Sequence, residues 1–339
     1  HVLYCLMIYA CGLEGKVERA ITMLESMETE KLFPLQSTYD AVLQACSHRK
    51  DCYDLAFEVY KKRKAAGFEP SEHTMRNMMA MTARVADTEG TEYLLLEMNR
   101  RNLKVTQKTL GTLMLCYGRS LRYDTPKAKR EKLEKADELF GIMKGRSDWF
   151  PTETRVGYYL NVQCEGLRLN RARDLFDSME GEYGLQPSTN MYRMMLKMYM
   201  NSNRVGYAHQ LFEEMKERGV VPDQVTYHTL VHGAARRGYV RYALEYLAEC
   251  AEKQILLSYR TLRPLVLRVQ DNDQVLGHIR KLLLDAGVPK AFIHRYFIRP
   301  KRPGDRLGSS RNTDLVITPS SKPNQSPKHY KPKRIHDLS

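Results

Sequence analysis

The sequence predicts an all-α protein, an α-solenoid superhelix of helix-turn-helix repeats with a basic, extended C-terminal tail. Three observations predict it: an apolar column that recurs at a near-constant interval, helical spacing within each recurrence, and Gly-x-x-Pro breaks between them. The column comes first, because a fixed period of 20–50 residues identifies repeat architectures before any single element does. Ala20, Met23, Leu24 and Met27 return as Ala136, Leu139, Phe140 and Met143, as Ala172, Leu175, Phe176 and Met179, and as Ala208, Leu211, Phe212 and Met215. Offsets of three, four and seven place each set on one helical face, where the small residue allows close approach and the Met fills the far end. The steps from Ala136 to Ala172 to Ala208 are 36 residues each, and Ala243 follows after 35.

A second feature precedes each such helix. Tyr4, Tyr39, Tyr192 and Tyr227 each open an apolar run, which supplies the first helix of a pair. Between pairs stand Gly67-Phe-Glu-Pro-Ser71, Gly184-Leu-Gln-Pro-Ser188 and Gly219-Val-Val-Pro-Asp223. There Gly ends a helix, Pro prevents its continuation, and the following Ser or Asp caps the next one. These breaks tile residues 1–258 into seven units: 1–35, 36–71, 72–106, 107–152, 153–188, 189–223 and 224–258. Residues 259–297 hold two helix-like stretches and are expected to form a degenerate repeat or helical cap. From residue 298 to 339 large apolar groups are few, and counting from Arg299 there are ten Lys or Arg against three Asp. That basic low-complexity tail carries +7 of the chain's formal +14, and its composition cannot bury enough surface to fold alone. The unit 107–152 is longer than its neighbours, and its excess, Arg119 to Arg130, is expected to emerge between its helices as a basic loop.

The motifs Thr226-Tyr-His-Thr-Leu, Ala208-x-x-Leu-Phe-x-x-Met215 and Gly219-x-x-Pro-Asp223 resemble the pentatricopeptide repeat, over about three quarters of the chain. Tetratricopeptide repeats are the nearest competitor, but their Trp-Leu-Gly-Tyr pattern is absent and the only tryptophan is Trp149. The resemblance implies that the first helices line an inner surface, where the fifth residue of each unit, with its last, contacts one base of single-stranded RNA. Carried onto this sequence, the pairs are Cys5 with Leu35, Asp40 with Ser71, Arg76 with Thr106, Gly111 with Thr152, Gly157 with Ser188, Arg193 with Asp223, and His228 with Ser258. None of the seven fifth positions has the Thr, Ser or Asn that the family's readable code uses. At the second position, where the family places an aliphatic wedge, only Val2 and Val225 qualify; Ser37, His73, Lys108, Thr154 and Asn190 fill the rest. Base discrimination needs a short donor or acceptor at the base edge, whereas Arg favours phosphate. A polar groove recognising RNA by shape and charge is therefore expected.

The net charge of +14 favours polyanionic partners. Candidate RNA contacts are Asp40, Ser71, Arg76, Thr106, Lys108, Arg193, Asp223, His228 and Ser258 in the repeats, Arg119, Arg122, Lys127, Lys129 and Arg130 in the long unit, and Lys328, Lys331, Lys333 and Arg334 in the tail. No uninterrupted apolar stretch is long enough for a membrane span, so a soluble chain without a membrane partner is expected. The seven cysteines form no Cys-x-x-Cys pair and read as free thiols in a reducing compartment. Cys11, Cys46, Cys116 and Cys164 fall late in first helices, where a small apolar residue packs easily. No phosphate-binding Gly-rich loop, His-Glu-x-x-His or Gly-x-Ser-x-Gly occurs, and His228 and His232 have no evident third ligand. The chain is thus expected to be no enzyme and to use no cofactor, metal or small-molecule substrate. It opens with His1 inside a helical pattern, so a preceding segment, with any targeting peptide, is expected beyond it.

The favoured expectation is a non-catalytic scaffold for RNA and proteins in an organellar ribosome or RNA-processing complex. The alternatives are a sequence-selective factor for organellar transcripts and a protein-only scaffold. Fifth-position chemistry disfavours the former, and the basic tail and long unit disfavour the latter. A mitochondrial matrix location follows from the resemblance alone.

Overall fold

A computed structural model describes residues 2–294 and residue 297. The described residues form helices and no strand. The first helices of successive pairs are α1 (Val2–Glu14), α3 (Gln36–Ser47), α5 (Glu72–Val85), α7 (Gln107–Ser120), α9 (Glu153–Glu165), α11 (Thr189–Asn201) and α13 (Gln224–Arg237). The second helices are α2 (Val17–Thr29), α4 (Tyr53–Ala65), α6 (Thr88–Arg100), α8 (Pro126–Gly145), α10 (Leu169–Tyr183), α12 (Val205–Glu217) and α14 (Val240–Glu252). The helices α15 (Tyr259–Arg268) and α16 (Asp273–Asp285) follow, with a single turn α17 (Lys290–Ile293). None is long and apolar enough to cross a membrane among the described residues.

The chain divides into two compact units between Thr229 and Leu230. In the unit ending at Thr229, α1, α3, α5, α7, α9 and α11 touch in succession and form one layer. From α2 to α10 each second helix packs on its own first helix and on the next one along, and α12 packs on α11. The repeating column is what lies between the layers: Ala20, Leu24 and Met27, Ala136, Phe140 and Met143, Ala172, Phe176 and Met179, and Ala208, Phe212 and Met215 are all buried. Each large apolar side chain so buried contributes about 1.5–3 kcal/mol. Tyr192 and Tyr227, which open α11 and an equivalent turn of α13, meet Phe176 and Phe212 edge-on at 5.0 and 5.7 Å. The tyrosine column and the Phe column thus join consecutive repeats. Close approach needs small residues too, and a Cβ on Gly12 would lie 2.6 Å from the Ala41 carbonyl oxygen. Cys11, Cys46, Cys116 and Cys164 are buried in their first helices, as their position predicts. In the second unit α14 packs on α16, around Ala243, Leu247, Ile279 and Leu283.

The helix stops repeat as well. Gly67, Gly184 and Gly219 have φ of 81°, 62° and 72°, the left-handed turn that closes a helix. At the matching places Lys31, Asn102 and Gln254 adopt the same conformation, with φ of 56°, 53° and 54°. Helix starts follow the predicted chemistry at Ser71 and Asp223, whose side chains accept from the Thr74 and Thr226 amides. Ser188 departs from it: the backbone is extended as at a cap, but the hydroxyl is buried without a partner.

The long unit corrects the expected basic loop. Only residues 121–125 connect α7 to α8, and the rest of the excess is helix. Thr125 accepts from the Ala128 amide and Pro126 occupies the first turn, a strong start signal. The following Lys, Ala, Arg and Glu favour helix, so α8 runs for 20 residues instead of 13. Trp149, after α8, packs edge-on against Phe140 at 5.8 Å.

Candidate nucleic-acid interface

The layer of first helices positions the candidate residues. Each unit's last residue is the N-cap of the next first helix, and its fifth residue lies one turn into a first helix. Ser71, Thr106, Asp223 and Ser258 meet a buried threonine three residues on: Thr74, Thr109, Thr226 and Thr261. The Ser71 and Thr74 pair is a reciprocal capping box, each side chain bonding the other's amide. Thr152 accepts from the Arg155 amide. The side chains of Ser71, Thr106, Thr152 and Asp223 therefore act first as helix caps, with part of their hydrogen-bonding capacity already engaged, whereas those of Leu35, Ser188 and Ser258 cap no amide.

The fifth positions divide into three kinds. Asp40 turns inward; it is 8% exposed, accepts from Thr74 Oγ1 at 2.6 Å, and lies 3.3 Å from the Arg63 guanidinium. Cys5 is half-buried and accepts from the Thr38 hydroxyl. Gly111 and Gly157 are buried against Tyr158 and Met191 and present no polar side-chain atom. Arg76 and Arg193 reach the surface, as does the exposed His228. Arg76 is paired with Glu72 at 3.3 Å. Arg193 lies 3.4 Å from Asp223, the last-position residue that the resemblance couples with it, and donates to Asn190 Oδ1 at 2.6 Å. Burial pushes the Asp223 carboxyl up, but bonds from Thr226 and the Arg193 charge outweigh it and hold the group below its usual range. Lys108 is exposed near the start of α7.

Arg122 and Arg193, separated in sequence, come together in one groove of about 260 Å³. Its walls are α9, α11 and the start of α13, and its lining includes Asn161, Glu165, Asn190 and Lys197. Glu165 accepts from Arg122 Nε and Nη2, at 2.9 and 2.6 Å, and from Lys197 Nζ at 2.6 Å. Burial raises the Glu165 carboxyl, yet these two cations win and keep it below the ordinary carboxylate range. Lys197 escaped the sequence reading, although it stands one turn beyond Arg193 on the same helix face. Glu165 carried no local signal at all.

Two further cations escaped it wholly or in role. Arg84 Nε donates to the Ser47 carbonyl at 2.7 Å, and Arg119 Nη1 donates to the Ala83 carbonyl at 3.1 Å. Each guanidinium thus caps the C-terminal end of the preceding first helix, where the helix dipole favours a cation. Among the described residues neither has a carboxylate within ion-pairing distance. Burial, followed by the nearby Arg84 charge, lowers the Arg119 pKa from its ordinary value. Lys127 and Arg130 are exposed and Lys129 is half-buried, all in the first turns of α8. Lys328, Lys331, Lys333 and Arg334 lie outside the described residues.

Comparison with known proteins places this geometry in context. A profile described as the pentacotripeptide-repeat region of PRORP matches residues 3–139. Profiles for the PPR repeat family and the PPR repeat match residues 187–236 and 225–255. The crystal structure of the pentatricopeptide repeat protein PPR10 in complex with an 18-nt psaJ RNA element is similar over 87% of this chain and 46% of its own, with a TM-score of 0.57 and 18% identity. The structure of PPR10 from maize gives a TM-score of 0.56 at 19% identity, over 87% of this chain and 45% of its own. The mitochondrial 15S rRNA processing factor CCM1 of Candida tropicalis is 25% identical over 132 residues, 38% of this chain and 16% of that protein. The chain therefore spans less than half the length of each of these proteins.

Proposed function

The chain belongs to the pentatricopeptide-repeat family, and from that premise we propose that it is a non-catalytic RNA-binding scaffold of a mitochondrial ribosome or RNA-processing complex. One observation carries the reading. The first helices carry Arg76, Arg84, Arg119, Arg193 and Lys197, with Arg122 just past the end of α7, while three of the positions that would read bases hold two glycines and an inward-turned Asp40. Cations on a repeating scaffold engage phosphates, and phosphates carry no sequence information. Such a surface suits an RNA whose position is set by its fold and by neighbouring proteins. Likeness to a mitochondrial rRNA processing factor supports both an RNA partner and a mitochondrial location.

The experiment is sedimentation of the native protein from mitochondrial extract. The reading expects co-migration with ribosomal subunits or another ribonucleoprotein, lost after ribonuclease treatment. Migration as a free protein in untreated extract would overturn the assembly reading. Association that survives ribonuclease would assign the surface to protein partners.

A further inference from the structure

The groove between α9 and α11 holds a carboxylate where a nucleic-acid surface would be expected to hold only cations. Glu165 is 11% exposed, and it gathers Arg122 from the α7–α8 connection and Lys197 from α11. The two cations remain open to solvent, at 52% and 39% exposure. An arginine has five N–H donors and an ammonium three. Glu165 uses two from Arg122 and one from Lys197, so both cations retain donors facing the groove. A carboxylate and a phosphodiester offer the same pair of anionic oxygens to an arginine fork.

We infer that Arg122 and Lys197 form a phosphodiester-binding site for an RNA strand in which Glu165 is a resident counter-anion that restrains affinity. The inference rests on the RNA-binding reading above. The carboxylate holds both side chains in place, which lowers the entropy lost on binding. Its charge also opposes any phosphate that shares the two cations, because it stays ionised well below neutral pH. Arg193 sits in the same groove with Asp223 at 3.4 Å, so the groove's cations are each matched internally before a ligand arrives. By contrast, among the described residues Arg84 and Arg119 donate to backbone carbonyls and pair with no carboxylate. Binding along the layer would therefore be uneven, strong where guanidiniums lack carboxylates and restrained at Glu165.

The test compares the full chain with Glu165→Gln and Lys197→Gln for binding a single-stranded oligouridylate across a salt series. The amide keeps the size and the acceptor of Glu165 but removes its charge. Glu165→Gln is expected to bind about fivefold more tightly and to steepen log K against log salt by about 0.7, one additional phosphate's worth for a single strand. Lys197→Gln leaves the paired Arg122 in place, and is expected to bind about threefold more weakly with a slope shallower by about 0.7. An unchanged or weaker affinity in a folded Glu165→Gln protein would overturn the counter-anion role. If that variant does not fold, an unchanged affinity and slope in Lys197→Gln would overturn the site. Failure of the unsubstituted chain to bind any RNA would instead sink the RNA-binding reading itself, and this inference with it.

Discussion

Asp40 and Arg63 form an ion pair inside the second repeat, with the guanidinium side chain 1% exposed and 3.3 Å from the carboxylate. The same carboxylate oxygen accepts from Thr74 in the third repeat, and Arg63 Nη1 donates to the Phe68 carbonyl at 2.8 Å. One anion thus ties the first helix of a repeat, its second helix and the next first helix together. Arg63 Nη2 is buried without a partner, so the cation has little reserve if Asp40 is lost.

Replacing Asp40 with Ala should therefore destabilise the array by about 3–5 kcal/mol, the usual result of stranding a buried charge. Denaturant midpoints would measure it. The double variant Asp40→Ala with Arg63→Met should recover much of the loss, because no buried charge then remains. A midpoint close to that of the unsubstituted chain in Asp40→Ala would return Asp40 to the surface and to RNA.

This pair also marks how far the sequence could be read. The period, the helix faces and three of the stops were legible, because Ala, Leu, Phe and Met recur at fixed offsets and Gly-x-x-Pro is a strong break. Arg63 was not, since a basic residue in the last turn of a helix ordinarily faces water. The remaining stops were hidden for a different reason. Ala86, Leu167 and Asn203 end first helices with φ of 64°, 55° and 61°; Asn adopts that conformation readily, but Ala and Leu give no sign of it in the sequence. The excess of the long unit was visible as length, but its Thr-Pro start signal settled it as helix rather than loop. Arg193 and Asp223, which the resemblance names together as candidate RNA contacts, also lie 3.4 Å apart, whereas Glu165 and Lys197 meet only because two repeats stack.

Ala86 offers a direct test of that hidden strain. A left-handed conformation is unfavourable for any residue with a Cβ, by roughly 1–2 kcal/mol, and Gly removes the penalty while adding about 0.4–1 kcal/mol of unfolded-state freedom. Ala86→Gly should consequently raise stability by about 0.5–1 kcal/mol, read as a higher denaturant midpoint. The same change at Ala83, in the regular part of α5, should lower it by about 1 kcal/mol. Loss of stability at both positions would argue against the strained turn.

Acid should loosen the array at two recognisable joints. Asp137 accepts from Tyr159 and Gln163 at 2.9 Å and pairs with Arg168 and Arg171 of the next repeat. Burial raises its carboxyl, but the Arg168 bond and then the Tyr159 and Gln163 bonds outweigh it and hold the group below its ordinary value. Glu165 is lowered likewise. A carboxyl depressed in the folded state stabilises fully above its unfolded pKa, and that stabilisation fades as pH falls through the folded pKa. The melting temperature should hold down to about pH 5 and decline below about pH 4. Asp137→Asn should melt lower at neutral pH, with the gap closing toward pH 3. A gap that is constant with pH would mean the ion pairs contribute nothing through titration.

Arg84 and Arg119 supply the last prediction. Their guanidiniums stand on consecutive first helices, hold the carbonyl ends of the helices before them, and lack carboxylate partners among the described residues. Helix carbonyls orient a guanidinium without neutralising its charge, so the outward donors stay available for phosphate. Arg76 and Arg193, by comparison, are already paired with Glu72 and Asp223. The double variant Arg84→Gln, Arg119→Gln should flatten the salt dependence for single-stranded RNA by about 1.4 in log K against log salt, two phosphates at about 0.7 each. The double variant Arg76→Gln, Arg193→Gln should flatten it by less than half as much. Because phosphates are common to every sequence, the loss in each case should be alike for oligouridylate, oligoadenylate and oligocytidylate. A loss confined to one of the three would show that these arginines read bases. An unchanged slope would place RNA on some other surface of the chain.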